Sequence, residues 1–264
     1  MIKNPFLSVI TVCYNSERFI RQTIESVLTQ DFKDYEYIIV DGQSKDGTLS
    51  VIQELEPAFN GRLHWISEPD KGIYDAMNKG INMAKGRLIW FVNSDDFMAP
   101  GAMQIIYDTY TNYDNKEWPV ISFAYNQIDI HGNFKGVVYN DKVQCYKNEK
   151  VDRMGILHPA TIVPREVYER QGTFDILYRV IADFDWFRRI VQAGEPIDFY
   201  NVVVTNMRDG GASASDSRKS RLREYRYYCN KNFSGLESHW RYFRLWRREY
   251  YARLVIVIKR ILAI

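Results

Sequence analysis

The sequence predicts an α/β fold: a mostly parallel sheet with helices on both faces, followed by a basic and aromatic helical tail. Three observations lead there. Strand and helix signals alternate from Leu7 to about residue 115. The strand segments are near-continuous apolar runs, as expected of strands buried on both faces. Charge is divided along the chain: Ser215 to Ile264 holds 13 Lys and Arg against 4 Asp and Glu, a net +9, while residues 1–214 hold 22 against 29, a net −7.

The elements follow in order. Leu7–Cys13 is a β-branched apolar strand, and Ser16–Gln30 carries a helical stripe of Phe19, Ile20, Ile24, Val27 and Leu28. Tyr35–Val40 is a second buried strand. The turn Asp46-Gly47-Thr48 leads to a helix marked by Leu49, Ile52 and Leu55, with Asp46 or Thr48 as its cap. Leu63–Ser67 reads as a short third strand. Asp70 then caps a helix whose buried face is Ile73, Ala76, Met77, Gly80, Ile81 and Ala84. Arg87–Val92 is a fourth strand ending in Asn93-Ser94-Asp95-Asp96, and Pro100 suits the first position of the next helix. Beyond residue 115, Val120–Ile130 and Gly136–Gln144 read as strands around the turn His131-Gly132-Asn133. Val167–Gly172 ends a short helix, Phe184–Ala193 is a helix, and Asp198–Val204 is a strand before the loop Arg208 to Gly211.

At 264 residues and 46% hydrophobic, the chain is globular and has enough apolar side chain for a large core. Cys13, Cys145 and Cys229 are far apart with no C-x-x-C spacing, which argues against a structural zinc site or redox pair. Met1–Phe6 leads straight into the first strand with no signal peptide, and no apolar run reaches about 18 residues. The expectation is a cytoplasmic protein attached at most peripherally to the inner face of the membrane. The division expected is a catalytic unit over 1–214, with halves 1–115 and 116–214, and a helical tail over 215–264.

In parallel sheets, ligands bind beyond the carboxyl ends of the strands. Those ends carry Tyr14-Asn15, the loop Asp41 to Thr48, and Asn93 to Asp96. Asp95 and Asp96 concentrate negative charge where Mg²⁺ or Mn²⁺ could share carboxylate and phosphate oxygens. Taken alone, the pair also reads as a turn capping the next helix. The loop Asp41-Gly42-Gln43-Ser44-Lys45-Asp46-Gly47-Thr48 has neither dinucleotide nor P-loop spacing, which counts against a dehydrogenase and a P-loop NTPase. Lys71, Tyr74, Asp75 and Asn78 lie off their helix's apolar stripe, where a phosphate or sugar could sit. Asp183 opens a helix, with Asp185 as its rival. His158 is by default structural.

Together these residues resemble family 2 glycosyltransferases with the GT-A fold, a Rossmann-like sheet. The matching pieces are Ser8–Asn15, Val40–Thr48, Glu68–Ile81 and Asn93–Asp96, with looser matches at His158–Thr161, Ala182–Arg189 and Gly210–Ser213. The chain is most similar to enzymes that build bacterial exopolysaccharide, capsule, O-antigen or colanic acid. The resemblance implies an inverting transferase that moves a sugar from a nucleotide-sugar donor to an acceptor hydroxyl, with a polyprenyl-linked saccharide as acceptor. Asp95 and Asp96 would be the metal-binding acids, Asp96 the first choice as direct ligand, and Asp183 the catalytic base. Tyr14, Asn15, Asp41 and Ser44 fall in the nucleotide-binding motifs, with Lys71, Asp75, Asn78 and Asp95 added to the donor site. Many members carry a second acid after strand two that recognises uracil. Gly42 stands there, which leaves GDP and dTDP sugars open beside UDP. The processive Gln-x-x-Arg-Trp motif is absent, so one sugar is expected per acceptor.

Two other classes compete. A sugar-1-phosphate nucleotidyltransferase would need a Gly-rich signature where Tyr14-Asn15-Ser16-Glu17 stands, and a non-catalytic glycan or nucleotide-sugar module would need no base. The tail has no nucleic-acid-reading motif. From His239 it places Phe243, Trp246, Tyr250, Leu254, Val257 and Ile261 along one helical side. It could lie on an anionic membrane, or pack on the catalytic unit or on a second copy in a homodimer.

Overall fold

The structure is a computed structural model that describes residues 4–113, 117–141, 156–211 and 218–247. The strands are β1 (Leu7–Cys13), β2 (Tyr35–Asp41), β3 (Leu63–Ser67), β4 (Leu88–Phe91), β5 (Phe97–Met98), β6 (Val120–Ile128), β7 (Phe134–Val138), β8 (Thr161–Pro164) and β9 (Ile197–Arg208). The helices are α1 (Ile20–Leu28), α2 (Thr48–Leu55), α3 (Ile73–Met83), α4 (Ala102–Thr111), α5 (Arg165–Gln171), α6 (Ala182–Gln192) and α7 (Arg218–Asn232), with α8 over 235–247.

The strands form one sheet in the order β3-β2-β1-β4-β8-β6-β9-β5, with β7 on the side of β6. The first four strands are parallel, as their apolar runs predict. Beyond β4 the sheet is mixed: β8 runs antiparallel to β4 and β6, while β6 and β9 are parallel. The expectation of a mostly parallel sheet therefore holds for the first half. From β6 to β8 the described residues hold no intervening α-helix, and these strands return as antiparallel neighbours, whereas β9, reached through α5 and α6, is parallel to β6.

Each face of the sheet has its own core. Ile10, Val12, Ile38 and Val40 point to the side covered by α3, α6 and α7, while Leu7, Val9, Tyr37 and Ile39 point to the side covered by α1, α2 and α4. This is the period-2 alternation of strands buried twice over.

Several boundaries move. α1 begins at Ile20 rather than Ser16, because residues 16–19 serve the loop that faces β2. α4 begins at Ala102 behind Gly101 in a left-handed conformation, so Pro100 precedes the helix instead of opening it. The two-residue β5 was not expected; it pairs Phe97 with Asn206 and Met98 with Thr205. β7 ends at Val138, and Gln144 lies outside the described residues, as do Cys145, Ala212, Ser213 and the tail beyond residue 247. The tail is continuous with the catalytic unit up to that point: Tyr228, Cys229 and Leu245 are buried in the same core as α3 and α6.

Candidate active site

The carboxyl ends of β1 and β2 are laced together by hydrogen bonds. Asp41 is fully buried, and its carboxylate accepts from the Ser44 N–H at 2.9 Å, from the Ser44 hydroxyl and from the Ser67 hydroxyl at 2.7 Å. The Ser44 hydroxyl oxygen accepts in turn from the Asn15 N–H at 2.8 Å, and Asn15 Oδ1 accepts from the Lys45 N–H at 2.8 Å. Asn15 has a φ of 49° and Gln43 a φ of 64°, left-handed positions that these bonds hold in place. Asn15, Asp41 and Ser44 thus shape the loop. Tyr14 is the group it presents, with 61% of its surface exposed. Burial and Asp41 push the Cys13 thiol up, so it stays protonated.

The space beside Gly42 is filled by Asp70 and Tyr14. A side chain at Gly42 would collide with Asp70, whose Oδ2 lies 2.4 Å from where a Cβ would stand, beside the Tyr14 ring at 3.4 Å. Asp70 is not the helix cap expected of it; its Oδ1 accepts from the Gly72 N–H at 2.8 Å, before α3 begins. The neighbouring expectations divide. Asp75 accepts from the Lys71 N–H at 2.9 Å and Lys71 is exposed, leaving its ammonium at the rim. Asn78 is committed elsewhere: its amide donates to the Phe174 carbonyl at 2.8 Å and accepts from the Phe174 N–H at 3.0 Å, a clamp between α3 and the segment before α6.

Asp95 and Asp96 leave β4 on the same end of the sheet. Pairing of β5 with β9 brings Arg208 onto them. Its N–H donates to Asp96 Oδ1 at 2.8 Å, its Nε to the Asp95 carbonyl at 3.0 Å and its Nη2 to Gln22 at 2.8 Å, while its guanidinium lies 4.4 Å over the Phe19 ring. Asn93 donates to Asp96 Oδ2 at 2.8 Å. Burial raises both carboxyls; with Asp95 beside it, Asp96 is pushed up to about 7 despite Arg208. Asp96 is 2% exposed with a bond on each oxygen, so Asp95 is the more accessible of the two acids. Gly211 keeps the space above it open, since a Cβ there would lie 3.2 Å from Asp95 Oδ2. Two crowded, incompletely neutralised carboxylates with hard oxygen donors fit Mg²⁺ or Mn²⁺. Among the described residues no group of three or more His, Cys, Asp or Glu side chains could hold an ion, so phosphate and water oxygens would complete the shell.

Asp183 lies in the first turn of α6, 32% exposed. Its Oδ1 accepts from the Tyr74 hydroxyl at 3.0 Å and from the Phe184 N–H at 2.8 Å. Its Oδ2 faces His158 Nδ1 at 3.9 Å. Burial lowers the His158 pKa against the pull of Asp183, and rings of Phe91, Phe174 and Phe187 surround the imidazole. Burial and the carboxylate together hold the Tyr74 hydroxyl protonated. Asp185, the rival, is 1% exposed and bound to Tyr178 at 3.2 Å and Lys231 at 3.2 Å, away from any opening. Since Tyr74 belongs to the first turn of α3, just after Asp70, the base candidate and the nucleotide loop share one end of the sheet.

Residues 8–128 match the model of glycosyl transferase family 2. Over those residues the chain carries a family 2 glycosyltransferase domain. An uncharacterized glycosyltransferase of Mycobacterium tuberculosis is 27% identical over 263 residues, covering 96% of this chain and 94% of the relative. Chondroitin synthase of Escherichia coli is 27% identical over 202 residues, covering 76% of this chain but 29% of the synthase. Among solved structures, S. aureus TarS 1-349 in complex with UDP-GlcNAc aligns with a TM-score of 0.65 at 18% identity, over 88% of this chain and 68% of that one. Full-length TarS is spanned to 41%. A mannosyltransferase of Pyrobaculum calidifontis in complex with GDP-Man and Mn²⁺ aligns with a TM-score of 0.57 at 18% identity, over 86% of this chain and 63% of that one. The fold of this glycosyltransferase is thereby GT-A.

Sequence reasoning missed Asp70 and Arg208 as site residues, and it placed Tyr74 on a face open to phosphate or sugar, whereas Tyr74 is buried and bonded to Asp183. Tyr74 and Asp70 stand inside a quoted motif, but only the fold shows what they touch. Arg208 carries no local signal beyond its place before Gly210-Gly211.

Proposed function

We propose that this glycosyltransferase transfers one sugar, with inversion, from a nucleotide sugar to an acceptor hydroxyl. The observation that carries this is Asp183: two donors occupy Oδ1, while Oδ2, 3.9 Å from His158 Nδ1, can take an acceptor hydroxyl. The hydroxyl gives its proton to Oδ2, its oxygen bonds the anomeric carbon, and the bond from that carbon to the phosphate oxygen breaks on the opposite face. Asp95 and Asp96 would hold a divalent ion, which neutralises charge on the departing nucleoside diphosphate. Tyr14 offers a flat face to the base, and Asp70 Oδ2 accepts from a base N–H, an arrangement open to uracil and guanine alike.

Surface-polysaccharide synthesis fits the names of relatives, among them a PGL/p-HBAD biosynthesis glycosyltransferase of Mycobacterium tuberculosis. A polyprenyl-linked saccharide acceptor and attachment to the inner membrane face complete the reading. Among the described residues no helix is long and apolar enough to cross a membrane. On α8, Trp240, Phe243 and Trp246 are exposed among Arg244 and Arg247, side chains suited to an anionic interface.

The decisive experiment is a panel of UDP-, GDP- and dTDP-sugars with Mn²⁺, reading release of nucleoside diphosphate and the anomer formed. Release that survives both Asp183→Asn and chelation would overturn the reading. Co-sedimentation with anionic vesicles tests the surface: the full chain should pellet at low salt and a chain ending at Leu236 should not.

A further inference from the structure

We infer that Glu224, in the basic tail, is a positioning residue for the catalytic base. This rests on the reading of Asp183 as that base. Glu224 is 7% exposed, and its carboxylate accepts from three successive backbone N–H groups: Arg179 at 2.9 Å, Val180 at 3.0 Å and Ile181 at 3.2 Å. These are the last residues before α6, and a carboxylate at that end also suits the helix dipole. The peptide so gripped does more than close a turn. The Val180 carbonyl lies 2.8 Å from the Tyr74 hydroxyl, the same hydroxyl that reaches Asp183 Oδ1.

The same face of α7 holds the far side of Asp183. Tyr228 meets Phe184 edge-on with centroids 5.2 Å apart, and Lys231 binds Asp185 and Asp175 at 3.2 and 2.9 Å. Positions 224, 228 and 231 are spaced to share one stripe of a helix. Three residues of one tail helix thus hold the chain on either side of Asp183. Glu224 differs from the other two in holding main chain, so it sets where α6 starts and which way Asp183 Oδ2 points.

The test uses the full chain and whichever of UDP-GlcNAc, GDP-mannose or dTDP-rhamnose the wild type turns over fastest with Mn²⁺. Five variants are compared: Glu224→Ala, Glu224→Gln, Lys231→Met, Asp183→Asn and the double variant Glu224→Ala with Asp183→Asn, each assayed well below its melting temperature. Glu224→Ala should lower kcat at least tenfold with donor KM within twofold. Glu224→Gln, which keeps one acceptor oxygen, should recover part of that loss. Lys231→Met should lower the melting temperature and keep kcat within threefold. The double variant should be little worse than Asp183→Asn alone, because a positioning residue has nothing left to position. Full kcat in Glu224→Ala beside a crippled Asp183→Asn would overturn the proposal and leave the base in place. So would losses that simply add in the double variant, or an equal kcat loss in Lys231→Met. An active Asp183→Asn would overturn the base assignment itself, and the proposal with it.

Discussion

Two parts of the candidate site are fastened in different ways. At the nucleotide end, bonds join neighbouring strand ends: Asp41 to Ser44 and Ser67, Ser44 to Asn15, each link spanning 3 to 29 residues of chain. At the acid pair and at Asp183, the links that set the carboxylates cross the whole molecule. Tyr74 reaches Asp183 over 109 residues, and Arg208 reaches Asp96 over 112. A parallel sheet gathers its loops at one edge by construction, so the first kind of site needs only local chemistry. The second kind depends on which distant segment packs where.

That contrast assigns different kinetic consequences to the two ends: damage at the nucleotide loop should appear in donor KM, damage around Asp183 in kcat. The largest effect expected is for Asp183→Asn, a fall in turnover of roughly two to four orders of magnitude with donor KM little changed. A rise in KM instead would erase the distinction. Asp185→Asn should leave turnover nearly intact while lowering the melting temperature, because Asp185 is a buried ion partner of Lys231.

Next comes Asp95→Ala. The thermal shift that Mn²⁺ with a nucleoside diphosphate gives the wild type should disappear in it. A shift retained in Asp95→Ala and lost only in Asp96→Asn would restore Asp96 as the main ligand. Ser44→Ala removes one donor from buried Asp41 and one acceptor from Asn15, at a cost of about 1–3 kcal/mol. It should raise donor KM, and a loss confined to kcat would contradict the comparison.

The smallest effect concerns His158. Its pKa is depressed in the folded protein, so the unfolded chain binds the proton more readily. The stability this contributes is full above the unfolded value of about 6.5 and is lost as pH falls through the lower folded value. His158→Gln should therefore flatten the drop in melting temperature on acidification from pH 7 to 5. An unchanged slope would show that carboxylates alone govern it.

Legibility in the sequence followed the same divide. The four parallel strands, the apolar stripe of α3 and the loops carrying Tyr14, Asp41 and Asp95 were readable because periodicity and strand-end position are local properties. Asp183 was readable only through the resemblance, since one acid at a helix start is ordinarily a cap. Tyr74 and Glu224 were not readable as its neighbours: their hydroxyl and carboxylate do nothing distinctive within their own helices. Asn78 shows the converse, a polar residue in a quoted motif that is occupied by the main chain of Phe174.

The pairing of Arg208 with Asp96 also has a temporal side. A chain emerging from the ribosome shapes its first strands early, and the loops around Asp41 can close while later segments are still being made. The acid pair at 95 and 96 is displayed at that stage too, but the amide that orients Asp96 belongs to the end of β9. A half-made chain can therefore close the Asp41 loop before it can set the Asp96 carboxylate. Maturation of the acid pair thus waits on β9.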